Sequence, residues 1–131
     1  MKKLTKAQVL RMYNDMVNQF GGTRGMRDEG LLDSALSAPF QTYDGFELYP
    51  EIEEKAACLG YGLIENHAMV DGNKRLGVHV MLVFLALNGI ILTYTQEELY
   101  TIVLQIASGD KSRSDLLTWI KKIGRASCRE R

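Results

Sequence analysis

The segment from Asn66 to Gly89, NHAMVDGNKRLGVHVMLVFLALNG, restricts the fold more than any other. Its second half, VMLVFLAL, is apolar on every side and closes on Gly89, the residue type favoured just past a helix C-terminus. A helix with no polar face belongs in the middle of a domain, so the sequence predicts a helical bundle around residues 73–88. Asp71-Gly72 is a turn signal, and Asn73 is a good N-cap for this helix. Histidine, aspartate and Gly-Asn-Lys-Arg ahead of the most hydrophobic helix are more chemistry than a connection needs.

The other elements support an all-α reading. Thr5 suits the cap of a first helix whose Val9, Tyr13, Met16, Val17 and Phe20 recur at helical spacing up to Gly21-Gly22. Asp28 suits the cap of a short second helix, residues 31–38, stopped by Pro39. FQTYDGFELYP places Asp44-Gly45 between alternating aromatic and polar residues, a β-hairpin or flap. Pro50 fits the first turn of a third helix, with Glu51, Glu53 and Glu54 at its positive end and Ile52, Ala56, Leu59 and Leu63 as its buried stripe. Residues 90–94 read as a brief extended piece. Thr95 with Glu98 forms a capping-box pattern before a fifth helix, and Ser112 with Asp115 opens a last one carrying Leu116, Leu117 and Ile120.

At 131 residues the chain is long enough to bury one core without disulfides or metals. Its formal charge of zero carries no electrostatic footprint of a nucleic-acid binder. The two cysteines, Cys58 and Cys128, lack metal-ligand spacing and fit a reducing compartment. No signal peptide is expected at the start, and the longest apolar run is too short for a bilayer, so the expectation is a cytoplasmic protein. The last nine residues, IGRASCRER, lack amphipathic periodicity and resemble a translated sequencing adapter; the functional domain is therefore expected to span residues 1–122, with a non-native tail over 123–131.

The chemistry concentrates between His67 and Arg75. The first amides of a helix have no intrahelical partners, and with the helix dipole those of Gly72, Asn73, Lys74 and Arg75 make an anion site. Lys74 and Arg75 add mobile positive charge, and phosphate is the anion that suits such a cradle. A carboxylate there, Asp71, is repulsive unless a cation lies between, and Mg²⁺ takes one or two carboxylates with waters and phosphate oxygens. His67, across the loop, is placed as a general base. Together these are the parts for phosphoryl or nucleotidyl transfer to a hydroxyl. The blander reading makes Asp-Gly-Asn a turn and cap, Lys74-Arg75 a solvated face, and His67 a helix C-terminal cap. His79 reads as a packed or edge residue, and Cys58 and the methionines as core.

HAMVDGNKR resembles the signature loop of the Fic superfamily: histidine, x, Phe, x, Asp or Glu, Gly, Asn, Gly or Lys, Arg. Through GGTRGMRDEGLLDSAL, LYPEIEEKAA and VFLALNG the chain is similar, over residues 4–122, to the death-on-curing branch, the toxins of type II toxin–antitoxin pairs. The resemblance implies a Fic-type bundle around a buried central helix with a short β-hairpin flap. It implies His67 as general base, Asp71 as the Mg²⁺ ligand, and Asn73 with its neighbouring amides as the anion hole. Gly72, Asn73, Lys74 and Arg75 would hold the ATP phosphates, Arg75 also acting in catalysis. The flap at Tyr43, Phe46 and Leu48 would align the target segment by strand addition.

Two departures bear on the reaction. Met69 stands where the family has phenylalanine, and it is a workable filler. Lys74 and Val78 replace the second glycine and second arginine of the adenylyltransferases, a pattern that in this branch goes with an inverted ATP pose. The resemblance thus implies Mg-ATP-dependent phosphorylation of a threonine or serine on a translation factor, elongation factor Tu, in a bacterial, plasmid- or phage-encoded system. Protein adenylylation is the alternative, left open by Gly72. A non-catalytic helical module that binds a partner is a further one. The family's self-inhibitory helix motif is absent from this sequence, so control by a cognate antitoxin with a disordered C-terminal tail is implied.

Overall fold

The computed structural model describes the backbone of residues 1–129 and the side chains of residues 1–124. Six helices are arranged in chain order: α1 (Lys6–Phe20), α2 (Glu29–Ser37), α3 (Ile52–Glu65), α4 (Asn73–Leu87), α5 (Gln96–Ala107) and α6 (Arg113–Arg129). Two two-residue strands, β1 (Thr42–Tyr43) and β2 (Phe46–Glu47), form the only sheet among the described residues. The fold class is the expected one.

Local sequence sets most boundaries. Thr5 and Gln8 close a capping box on α1, and Thr95 and Glu98 do the same on α5. The Asp28 carboxylate accepts from the Leu31 amide at 3.1 Å, starting α2. Asp44 and Gly45 both have positive φ, the backbone that a two-residue hairpin loop between twisted strands requires.

Four expectations are corrected. Pro50 is not in the first turn of α3: it precedes the N-cap, Glu51, whose amide donates to the Glu54 carboxylate. Pro39 does not simply stop α2, because the chain tightens into a 3-10 turn (Ala38–Phe40) that accommodates its fixed φ. Residues 90–94 form no strand. The centre of the bundle is the α3–α4 pair rather than α4 alone. α3 touches α2, the 3-10 turn, α4, α5 and α6. Its glycines explain the intimacy: a Cβ at Gly60 would come within 2.8 Å of Met81, and one at Gly77 of α4 within 2.7 Å of Ile64. α4 keeps an open face, on which Lys74, Arg75 and His79 are exposed.

The core joins Val9 and Tyr13 of α1, Leu32 of α2, Leu59 and Leu63 of α3, Phe84 and Leu85 of α4, Ile106 of α5, and Leu116 and Ile120 of α6. Cys58 is buried, and burial pushes its thiol pKa up, as suits core material. The domain boundary drawn after residue 122 falls inside α6, and Ile123 is 7% exposed in the core, so this residue belongs to the body. The side chains of 125–131, Cys128 included, lie outside the described residues. No helix among the described residues is long and apolar enough to cross a membrane.

Candidate active site

The loop between α3 and α4 departs from ordinary backbone at two points. His67 has φ +51°, left-handed for a non-glycine residue, a conformation costing about 1–3 kcal/mol that the surroundings must offset. Gly72, also left-handed at φ +82°, is the N-cap of α4; this corrects the assignment of Asn73. Asn73 is instead the first helical residue, 9% exposed, and its side chain turns back into the loop. Its Oδ1 accepts from the Met69 amide at 3.0 Å and its Nδ2 donates to the Met69 carbonyl at 2.9 Å. One N–H and the oxygen of the carboxamide are thereby engaged with the loop, and the backbone N–H of Asn73 is left without a partner among the described residues. Met69 itself is buried, filling the position expected of it.

The second support comes from the segment between α1 and α2. Met26 bridges Met69 in antiparallel fashion, and the amides of Arg27 and Asp28 both donate to the Ala68 carbonyl at 2.8 and 3.0 Å. Val70 donates to Gly25 at 2.9 Å. The Tyr13 hydroxyl sits among the carbonyls of Thr23, Gly25 and Asp71, 3.2–3.4 Å away. Neither Tyr13 nor Arg27 stood out in the sequence: one reads as a core position of α1, the other as a loop charge. Gly22 and Gly25 of GGTRG were the available signal, because the close approach of two loops needs them. A Cβ at Gly22 would lie 2.8 Å from the Asp71 carboxylate.

Asp71 is exposed, with its carboxylate steered by main chain. Oδ2 accepts from Thr23 N–H at 3.3 Å and Oδ1 from Gly72 N–H at 2.8 Å. The Gly72 amide, expected in the anion cradle, is therefore taken. The amides of Asn73, Lys74 and Arg75 have no hydrogen-bond partner among the described residues, the first helical bond being Leu76 to Gly72 at 2.9 Å. Lys74 and Arg75 form no ion pair there either; the Arg75 guanidinium rests 4.4 Å over the Phe20 ring.

These groups open onto a groove of about 800 Å³ between α1, α4 and α5, a size suited to a small-molecule ligand. Asp71, Gly72, Asn73, Lys74 and Arg75 all line it, and so does His79. A pocket of about 30 Å³ beside it, walled by Tyr13, Gly22, Asp71 and Arg75, is water-sized. His67 is carried on the same loop and is exposed, but it does not line the groove. The flap residues Tyr43, Phe46 and Leu48 are exposed and also stand apart from the groove. The flap is held from below by Lys55, a nearly fully buried lysine that sequence reasoning passed over. Its ammonium pairs with Glu47 at 3.0 Å and donates to the Tyr49 carbonyl.

No three His, Cys, Asp or Glu side chains converge on a metal site among the described residues. A divalent ion here would rest on Asp71, which retains free lone pairs, with phosphate oxygens and water supplying the rest. The donor set fits a hard cation bound together with a phosphate ligand.

Fold and loop thus define a helical-bundle protein whose α3–α4 loop carries an exposed histidine and leads into a helix N-terminus with three unpartnered amides over a groove. The Fic/DOC family model matches residues 3–85, more than half of the chain, and the chain belongs to that family. It is similar to the protein named Toxin Doc of Mycolicibacterium smegmatis, 47% identical over 71 residues, 54% of this chain and 55% of that one. The match thus spans about half that relative's length. It is also similar to Protein kinase doc of Escherichia phage P1, 23% identical over 123 residues, 94% of this chain and 96% of that one.

Proposed function

We propose that this chain is a death-on-curing toxin that transfers the γ-phosphoryl group of ATP to a threonine or serine hydroxyl of a translation factor. The observation that carries the reading is the row of unpartnered amides at Asn73, Lys74 and Arg75, opening on the groove beside Asp71. These amides and the two cationic side chains would hold the phosphates. Asp71 would hold Mg²⁺, which when bound neutralises charge between the carboxylate and the phosphate oxygens. His67 would accept the hydroxyl proton as that oxygen bonds to the γ-phosphorus and the bond to the β–γ bridging oxygen breaks, releasing ADP.

The name of the phage P1 relative supports phosphoryl transfer, and Lys74 and Val78 at the positions of the second glycine and second arginine support it as well. Adenylylation is the second reading, kept open by Gly72. The left-handed backbone at that residue supplies a conformational reason for glycine, which weakens it as a mark of chemistry. The name of the mycobacterial relative supports a toxin role and thus a cognate antitoxin, whose disordered tail would bind the chain, in a bacterial cytoplasm.

The test is to incubate the protein with ATP, Mg²⁺ and elongation factor Tu and weigh the factor by mass spectrometry. A phosphate-sized increment is expected. An AMP-sized increment would replace phosphorylation with adenylylation, and an unmodified factor would favour the non-catalytic binding module.

A further inference from the structure

The His67 backbone is held by a side chain from outside its own loop. Arg27, in the connection between α1 and α2, reaches across with both ends of its fork. Its Nε donates to the His67 carbonyl at 2.7 Å, and its Nη2 donates to the Asn66 carbonyl at 3.2 Å. These two carbonyls flank the His67 peptide, and Asn66 is also the C-cap of α3, where a cation is favoured by the helix dipole. Without such donors, the last carbonyls of α3 would be free to seek water and the chain would relax from the left-handed region. The Asn66 amide is bonded to the Gly62 carbonyl and the main-chain bonds from Arg27 and Asp28 fix the Ala68 carbonyl, so the fork takes up the two carbonyls between them that have no main-chain donor. The His67 side chain makes no hydrogen bond among the described residues, which leaves the backbone as the determinant of where the ring projects. Asn66 adds a third tie, its Nδ2 donating to the Leu31 carbonyl of α2 at 3.3 Å.

We infer that Arg27 is a positioning residue for His67: its planar fork, bonded to the carbonyls of the right-handed Asn66 and the left-handed His67, holds the bend between them and so sets the direction in which the imidazole projects. Lysine cannot do the same work, since one ammonium on a flexible stem does not span two carbonyls in a fixed plane. The inference rests on the reading of His67 as the base, but its structural half does not.

The experiment compares the full-length wild type with Arg27→Gln, Arg27→Lys and His67→Ala. For each, the transfer rate onto elongation factor Tu, the KM for Mg-ATP and the Tm are measured, with the backbone carbon shifts of His67 read by nuclear magnetic resonance. In Arg27→Gln, kcat is expected to fall about 10- to 100-fold, the range for small misplacement of a reacting group. KM for ATP should stay within about two-fold, the His67 shifts should leave their left-handed values, and Arg27→Lys should fall between. Turnover within two-fold of wild type overturns the proposal. So does a general loss in which kcat and Tm fall while KM rises, and so do unmoved His67 shifts. If His67→Ala is as active as wild type, or wild type transfers nothing, the assignment of the base fails instead, and the His67 shifts alone decide the role of Arg27.

Discussion

The Asn73 carboxamide and the Met69 main chain satisfy each other, N–H to Oδ1 at 3.0 Å and Nδ2–H to carbonyl at 2.9 Å. Both bonds are buried, so this pair converts the first residue of α4 into a clasp on the loop ahead of it. The clasp sets where the free amides of α4 stand relative to Asp71.

Asn73→Ala leaves a buried donor and a buried acceptor on Met69 unpaired. Each such group costs about 1–3 kcal/mol, so a loss of about 2–4 kcal/mol in urea unfolding is expected, with nucleotide binding impaired in what remains folded. A change below about 1 kcal/mol would show that the loop holds its shape without the clasp.

Gly21 and Gly22 make a matched pair. Both have positive φ, so alanine at either is expected to cost about 1–2 kcal/mol through backbone strain. Only at Gly22 would the new Cβ press on the Asp71 carboxylate; at Gly21 it meets nothing within 4 Å. Isothermal titration with Mg-ATP should therefore find affinity lowered in Gly22→Ala and near wild type in Gly21→Ala. Equal affinities would remove Asp71 from the metal site.

The Lys55–Glu47 pair joins a lysine at 2% exposure to a carboxylate at 51%. Glu47→Gln strands a buried cation on the Tyr49 carbonyl, whereas Lys55→Met removes the charge and keeps the volume. Thermal unfolding should rank Glu47→Gln below Lys55→Met by about 1 kcal/mol, less than for a fully buried pair because water reaches Glu47. Both variants free the flap, so both should raise the KM for the protein acceptor while sparing that for ATP.

Acid should unfasten the start of α3. The hydrogen bond from Lys121 and then its charge hold the Glu51 carboxyl below its ordinary 4.5. A lowered folded pKa means that the stabilisation is complete above 4.5 and disappears as pH falls through that value toward the folded one. Melting curves of wild type and Glu51→Gln should differ at neutral pH and converge in acid. Added salt should shrink the neutral-pH gap, since the pair is exposed.

Short-range chemistry made much of this protein legible. Thr5, Asp28 and Thr95 announce helix starts because a cap bonds its own first turn, and Asp44-Gly45 announces the hairpin because few other residues take that backbone. The unpartnered first amides of α4 follow from the same local rules, since a helix start has no carbonyl a turn earlier to accept them. The roles of Arg27, Tyr13 and Lys55 do not: their partners lie 40, 58 and 8 positions away for the bonds to His67, Asp71 and Glu47, and no periodicity reports a contact between loops.

The sequence alone determined six amphipathic or apolar helices, the caps at Thr5, Asp28 and Thr95, and a loop carrying histidine, aspartate and two cations before the most hydrophobic one, since each follows from bonds within a few residues. Tertiary packing decided the rest. It made α3 and α4 a joint centre through glycine contacts and turned the Asn73 side chain inward. It left three amides free over a groove, and it bent His67 into a left-handed turn that no isolated peptide would hold, because burial and long-range hydrogen bonds offset what local preference opposes.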